Sequence, residues 1–172
     1  MLRQITPKDR SNFIHFCQFR DPYSDFFITK NNKRLYLTNI KNASLAFDDC
    51  LKRGNKCFIK EENGEIKAVL LVVGFKDKFE RKYIKVLAKS KRDILDLFSF
   101  LQWQDLTDLF MKVKVSNTNF VRYDERIKRY KPSYVLRKNG FSVISIRDRE
   151  ALLKKEEMKF KYNKIKFNKD EE

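Results

Sequence analysis

A chain of 172 residues, 42% hydrophobic and 14% aromatic, has the size of one ordinary domain and enough apolar material for a core, which excludes a disordered protein. One histidine and three cysteines without a CxxC spacing (Cys17, Cys50 and Cys57, read as buried, reduced thiols) leave little material for a zinc site or a catalytic triad. The formal charge of +16 has two readings, an anionic partner or a lysine- and asparagine-rich composition with no partner behind it.

Residues 2–6 predict a short strand, and "RSNFIHFCQ" a helix that Asp9 or Ser11 is placed to cap. Phe13, Phe16 and Cys17 recur at the spacing of a buried helical face, with His15 off that face. Pro22 stops any continuation into the irregular, aromatic "RDPYSDFFITKNNKRLYL". "NASLAFDDCLKRGN" reads as a second helix closed by Gly54 in the C′ position. The sharpest signal is "KCFIKEENGEIKAVLLVVGFKD". Two β-rich runs flank Asn63-Gly64, a favoured type I′ turn, and the run from Ile66 to Phe75 is apolar almost throughout, as in a strand buried on both faces. "RKYIKVLA" alternates as the next strand, antiparallel to it.

A helix follows from about Arg92 to Trp103, then an alternating strand from Leu109 to Val115. "SNTNFVRYDERIKRYKPSYVLRKNGF" is helical in character and interrupted at Pro132, with Gly140 ending the helix and Phe141 opening a strand. "FSVISIRDREALLKK" predicts a hairpin with a charged turn at Arg147 to Glu150. Residues 157–172 form a charged tail, basic and then acidic, suited to a terminal strand or a frayed end. No apolar run approaches the ~20 residues that span a bilayer, and "MLRQITPKDR" has no signal-peptide core. The expectation is a soluble, cytoplasmic protein with no membrane partner.

The stretch "VLAKSKRDILDLFSFL", residues 86–101, runs from a strand end through a polar loop into an apolar helix. Such junctions often cradle a phosphate, because the first N–H groups of a helix have no partner within it. Lys89, Lys91 and Arg92 add three cations within four residues, but the stretch holds no glycine to let the backbone approach a ligand.

The order of elements, with "LRQITPKDR" at the start and "LRKNGF" late, resembles the GNAT superfamily of acyl-CoA-dependent N-acyltransferases over residues 1–156. The resemblance implies an α/β fold, a single domain with a mixed, mostly antiparallel central sheet and helices on both faces. It implies acetyl-CoA or another acyl-CoA as cofactor and an unidentified amine as acceptor. In that family the fourth strand splays from the fifth, the acyl-CoA lies in the gap, and its pyrophosphate rests on the following loop. The cofactor contacts so implied are Val86, Ala88, Lys89, Ser90, Lys91, Arg92, Asp93, Ile94 and Asn117. Lys89 takes the family's Gln/Arg position in that loop, while Arg92 and Ile94 stand where it has glycines.

Many members use a tyrosine four residues before the helix-ending glycine to protonate the leaving thiolate. That position is Leu136 here, with Tyr134 two residues away and Tyr123 and Tyr130 as further candidates. Glu80 and Asp77 are the carboxylates available to take the amine's proton. The family also works without a dedicated base, by positioning the amine and polarising the thioester.

The segment between Asn117 and Gly140 exceeds the family's usual connection by about one helix of ten residues. In it Arg122, Arg126, Arg129 and Lys131 interleave with Tyr123 and Tyr130, a composition suited to phosphates and stacked bases. The same residues also fit an amphipathic helix whose Phe120, Tyr123, Ile127 and Tyr130 form a core stripe. The alternative to an enzyme is thus a non-catalytic protein of GNAT fold that binds nucleic acid through this basic surface.

Overall fold

The computed structural model describes residues 1–18, 23–24, 28–30, 33–74, 81–103 and 108–155, which divide into two compact units between Phe100 and Leu101. The tail at 157–172 lies outside the described residues.

The first unit runs β1 (Leu2–Gln4), a 3-10 turn (Pro7–Asp9), α1 (Arg10–Cys17), β2 (Tyr23–Ser24), β3 (Ile28–Lys30), β4 (Lys33–Leu35), α2 (Ile40–Leu51), β5 (Lys56–Glu62), β6 (Glu65–Gly74) and β7 (Lys82–Ala88), then most of α3 (Lys91–Trp103). Its sheet has the order β1-β5-β6-β7, each pairing antiparallel, and β3 and β4 form a separate hairpin. The predicted turn sets the register. Asn63 and Gly64 both have positive φ (54° and 76°), as a type I′ turn demands, and Glu62 faces Glu65 across it.

From there the pleat sorts the core. Cys57, Ile59, Val69, Leu71 and Leu87 share one face and cluster with Phe13 and Phe16 of α1 and Phe47 and Cys50 of α2. The other face meets α3, where Phe58 lies edge-on to Phe100 at 5.4 Å and Lys60 bonds Asp93. Helices thus cover both faces of this sheet, and β6 is buried on both from Ala68 to Val72 except at its ends, as its apolar run predicts.

Three local expectations change. Asp9 precedes α1 but does not cap it: its carboxylate turns back to accept from the Thr6 N–H (2.8 Å) and from both Arg3 terminal nitrogens, and Ser11 lies within the first turn. The second helix starts earlier than its quoted stretch, with the Asn39 side chain accepting the Asn42 N–H at 3.2 Å. Gly54 has the positive φ expected of a helix terminator (91°), but Lys52 has already left the helix with ψ 139°. Gly54 therefore sits in the turn that the Asn55 N–H closes onto the Lys52 carbonyl. A Cβ on Gly74 would overlap the Gly54 carbonyl oxygen, so this turn packs directly on the end of β6.

The second unit holds the end of α3, β8 (Leu109–Lys114), β9 (Val121–Asp124), β10 (Arg129–Pro132), α4 (Tyr134–Lys138), β11 (Phe141–Arg147) and β12 (Glu150–Lys155). The antiparallel sheet β8-β12-β11 carries Leu109, Met111, Val113, Ala151 and Leu153 on its buried face. Asp148 and Arg149 form the predicted charged turn, both at positive φ (53° and 64°). Gly140 (φ 85°) ends α4 before Phe141 opens β11, as expected.

The helix expected over 120–131 is instead the β9–β10 hairpin. Tyr123 pairs across the strands with Tyr130, the Asp124 carboxylate accepts the Arg126 N–H at 3.0 Å, and Lys128 takes a positive φ (51°) that a helix does not allow. The expected core stripe fails with the helix, since Phe120 is buried while Tyr123 and Ile127 are 50% and 55% exposed. Among the described residues no helix is long and apolar enough to cross a membrane.

Candidate functional site

The turn opening α3 answers the glycine question raised by its sequence. Ile94 is fully buried, so the side chain at the second glycine position belongs to the core and leaves the outer surface clear. Lys91 and Arg92 are exposed. Two of the turn's N–H groups are committed: Asp93 donates to the Ser90 hydroxyl at 3.2 Å, and Ile94 donates to the Ser90 carbonyl at 3.3 Å. The Ser90 hydroxyl in turn donates to Asp93 at 2.8 Å, closing a reciprocal cap.

Lys60, 7% exposed on β5, stands behind this turn. Its ammonium donates to Asp93 (2.7 Å) and pairs with Asp96 (2.8 Å) and Glu62 (3.2 Å). Burial pulls its pKa down, but the hydrogen bonds to Asp93, Asp96 and Glu62 outweigh that and hold it above the ordinary lysine value. Asp93 thus places a carboxylate at the positive end of α3, and Lys60 neutralises it from below. No sequence signal marks Lys60, the last of four consecutive buried residues in β5.

Lys89 is drawn elsewhere. Its N–H bonds the Lys67 carbonyl at 3.2 Å, continuing the sheet, and its ammonium lies 5.7 Å from the Phe16 ring centroid. Val86 and Ala88 are buried in β7. β2 pairs antiparallel with the end of β7, Tyr23 opposite Ala88 and Ser24 opposite Leu87, on the edge that β6 does not use.

In the second unit Asn117 organises a turn. Its carbonyl accepts from Phe120 and Val121, and its side-chain oxygen from the Asn119 N–H. Ser133 joins the same turn by donating its N–H to the Phe120 carbonyl at 2.8 Å. The Ser133 side chain stands at the cap position of α4 without capping it, and it is the one buried side-chain polar atom among the described residues that has no partner. Such an atom costs about 1–3 kcal/mol. Ser133 shares the buried side of α4 with Leu136, whereas Tyr134 is 54% exposed on the opposite side, with the Lys138 ammonium 5.9 Å from its ring. Glu80 and Asp77 lie outside the described residues.

The hairpin separates what the sequence interleaved. Tyr123 and Tyr130 meet edge to face at 5.1 Å on one side, in the row anchored by buried Val121 and Pro132. Arg122, Asp124, Arg129 and Lys131 occupy the other side. There Lys131 bonds Asp124 at 3.0 Å and holds its carboxyl below the usual range, and Arg122 donates to the Thr118 carbonyl. Arg126 belongs to the exposed turn. Tyrosines and flanking arginines therefore do not form one surface. Among the described residues no group of three or more His, Cys, Asp or Glu is placed to hold a metal.

No family model and no curated protein matches the sequence. Solved structures do match the fold. The GNAT domain of an S. lividans protein, PAT, is similar at TM-score 0.58 and 15% identity, covering 89% of this chain and 88% of that one. A ribosomal-protein-alanine N-acetyltransferase from Brucella melitensis is similar at TM-score 0.57 and 12% identity, over 90% of this chain and 98% of its own. A spermidine N-acetyltransferase variant from Vibrio cholerae gives TM-score 0.57 at 9% identity, over 93% and 96%. The chain has the α/β fold of the GNAT acetyltransferases.

Proposed function

We propose that the protein is an N-acyltransferase that takes an acetyl group from acetyl-CoA and passes it to a primary amine. The observation that carries this reading is the fold, shared over about nine-tenths of the chain with acetyltransferases of several acceptor classes. Acetyl-CoA would supply the acyl group as an activated thioester.

The chain's own residues suit such a cofactor. The exposed Lys91 and Arg92 side chains put two cations at the start of a thirteen-residue helix. With Ile94 in the core and Arg92 outside, phosphates would be held from the side by cations rather than by close backbone approach. Burial of Asp93 on Lys60 limits the repulsion a carboxylate would otherwise exert there.

The test is thermal unfolding with and without acetyl-CoA, followed by release of free thiol in the presence of polyamines, amino acids and peptides. Saturation at 100 times the dissociation constant should stabilise the fold by about 2.7 kcal/mol. No stabilisation at millimolar acetyl-CoA would overturn the reading.

A further inference from the structure

We infer that the second unit carries a binding site for a small zwitterion, a free amino acid, in a concavity on the outer face of its β8-β12-β11 sheet. The site lies wholly within that unit and does not rest on the acyltransferase reading.

The concavity measures about 360 Å³ and is lined by Lys112, Ser145, Arg147, Asp148, Glu150 and Leu152. Small-molecule sites run from about 300 to 1,000 Å³, so there is room for one small ligand. The strand register explains why these residues meet. Leu152 of β12 pairs with Lys112 of β8 on one side and with Ser145 of β11 on the other, and two residues along β12 Glu150 pairs with Arg147. The pleat sends Ala151 and Leu153 into the core and leaves Glu150 and Leu152 on the opposite face. Asp148 joins them from the β11–β12 turn.

The charges there are arranged unusually. Arg147 and Glu150 face each other across the ladder, and Asp148 follows Arg147 in the chain, yet none of these three side chains has an ion pair or a hydrogen bond among the described residues. Opposite charges in directly facing positions ordinarily meet. Elsewhere in the protein they do so even on an exposed strand, as Lys67 and Glu65 show at 3.0 Å. Here both signs line one concavity and are held apart.

That pattern selects the ligand. A plain anion would be drawn to Lys112 and Arg147 but repelled by Asp148 and Glu150, and a plain cation would meet the reverse. A molecule that carries a carboxylate and an ammonium side by side satisfies both sets. The Arg147 fork suits a carboxylate, Asp148 and Glu150 accept from an ammonium, and the Ser145 hydroxyl can bond either group. Leu152 between them gives an apolar floor for a side chain.

The experiment titrates isotope-labelled protein with L-alanine and L-leucine, without acetyl-CoA, and follows the backbone amide signals. The expected result is saturable shifts centred on residues 145–152 and 112, with N-acetyl-L-leucine and L-leucine methyl ester each binding at least about tenfold more weakly than L-leucine. Arg147→Gln should remove the preference for L-leucine over its methyl ester. Asp148→Asn with Glu150→Gln should remove the preference over the N-acetyl form. These changes keep side-chain size at exposed or half-buried positions, and an unchanged melting temperature confirms that the variants fold. No saturable shift with either amino acid would overturn the inference. Equal binding of L-leucine and its N-acetyl form by wild type would do the same, because the acids would then have no role. Preferences that survive in the variants would place the ligand elsewhere and overturn it too.

Discussion

Lys60 on β5 and Asp93 at the start of α3 are 33 residues apart in sequence and 2.7 Å apart in space, both more than nine-tenths buried. The pair fixes α3 to its face of the sheet. Lys60→Met strands Asp93 without its cation and should cost about 3 kcal/mol in urea unfolding. Asp93→Asn should cost less, since Asp96 and Glu62 still hold the ammonium. The double change to Met and Leu should recover part of the loss, as buried ion pairs often tolerate apolar replacement. No loss in any of the three would mean that α3 is held by packing alone.

Acid sensitivity should centre on Asp9. The guanidinium of Arg3, bonded to both carboxylate oxygens at 2.8 and 2.9 Å, is the main cause that holds its pKa below the ordinary 3.8 despite burial. A depressed carboxylate contributes stability that is complete above pH 3.8 and lost as the pH falls through the folded value. Asp9→Asn should lower stability by about 2 kcal/mol at neutral pH and shrink its deficit against wild type below that pH. A deficit constant with pH would assign the effect to packing.

Much of this fold can be read from local sequence because the deciding chemistry is local. Asn63-Gly64, the apolar run of β6 and "LRKNGF" each specify their structure through backbone preferences of adjacent residues. Residues 120–131 misled because Tyr123 and Tyr130 are seven apart, which is two helical turns and also the separation of cross-strand partners around this turn. The site was less legible still. A lysine at an inward strand position looks like any other until two carboxylates of α3 join the Glu62 of its own strand around it. A serine before a helix looks like an ordinary cap until its hydroxyl is found idle.

Gly74 should be irreplaceable for a reason of space. Gly74→Ala pushes a methyl group into the Gly54 carbonyl and should cost about 2 kcal/mol or more. Gly64→Ala meets open space and suffers only from its positive φ, at about 1 kcal/mol. Comparing the two melting temperatures checks the ranking, and a milder effect at Gly74 would show that the α2–β5 turn yields.

Lys155 continues the buried row of Ala151 and Leu153, and burial alone drives its pKa below the ordinary 10.5. The penalty for its charge is absent above pH 10.5, grows as the pH falls from there toward the folded value, and is complete below it. Lys155→Met should therefore stabilise the protein by about 1 kcal/mol at neutral pH, with the advantage shrinking toward alkaline pH. A destabilised variant would show that the ammonium finds a compensating environment.

Charge reversal tests the α3 turn. Lys91→Glu with Arg92→Glu should abolish acetyl-CoA binding in calorimetry and leave the melting temperature within a few degrees, since both side chains are exposed. Unchanged affinity would place the cofactor's phosphates elsewhere.

The β9–β10 hairpin begins at Val121 and ends at Pro132, and these two residues are already partners across the ladder. An insertion whose two ends meet can be removed without re-routing the chain on either side. Joining Val121 to Pro132 through a two-residue turn should leave Asn117, Ser133 and α4 where they are, because the tip contributes exposed rather than core side chains. The hairpin is in this sense an accessory, open to shortening, swapping or fusion. A trimmed protein would also separate the rest of the fold, and the acyltransferase activity proposed for it, from whatever the basic, tyrosine-bearing tip adds.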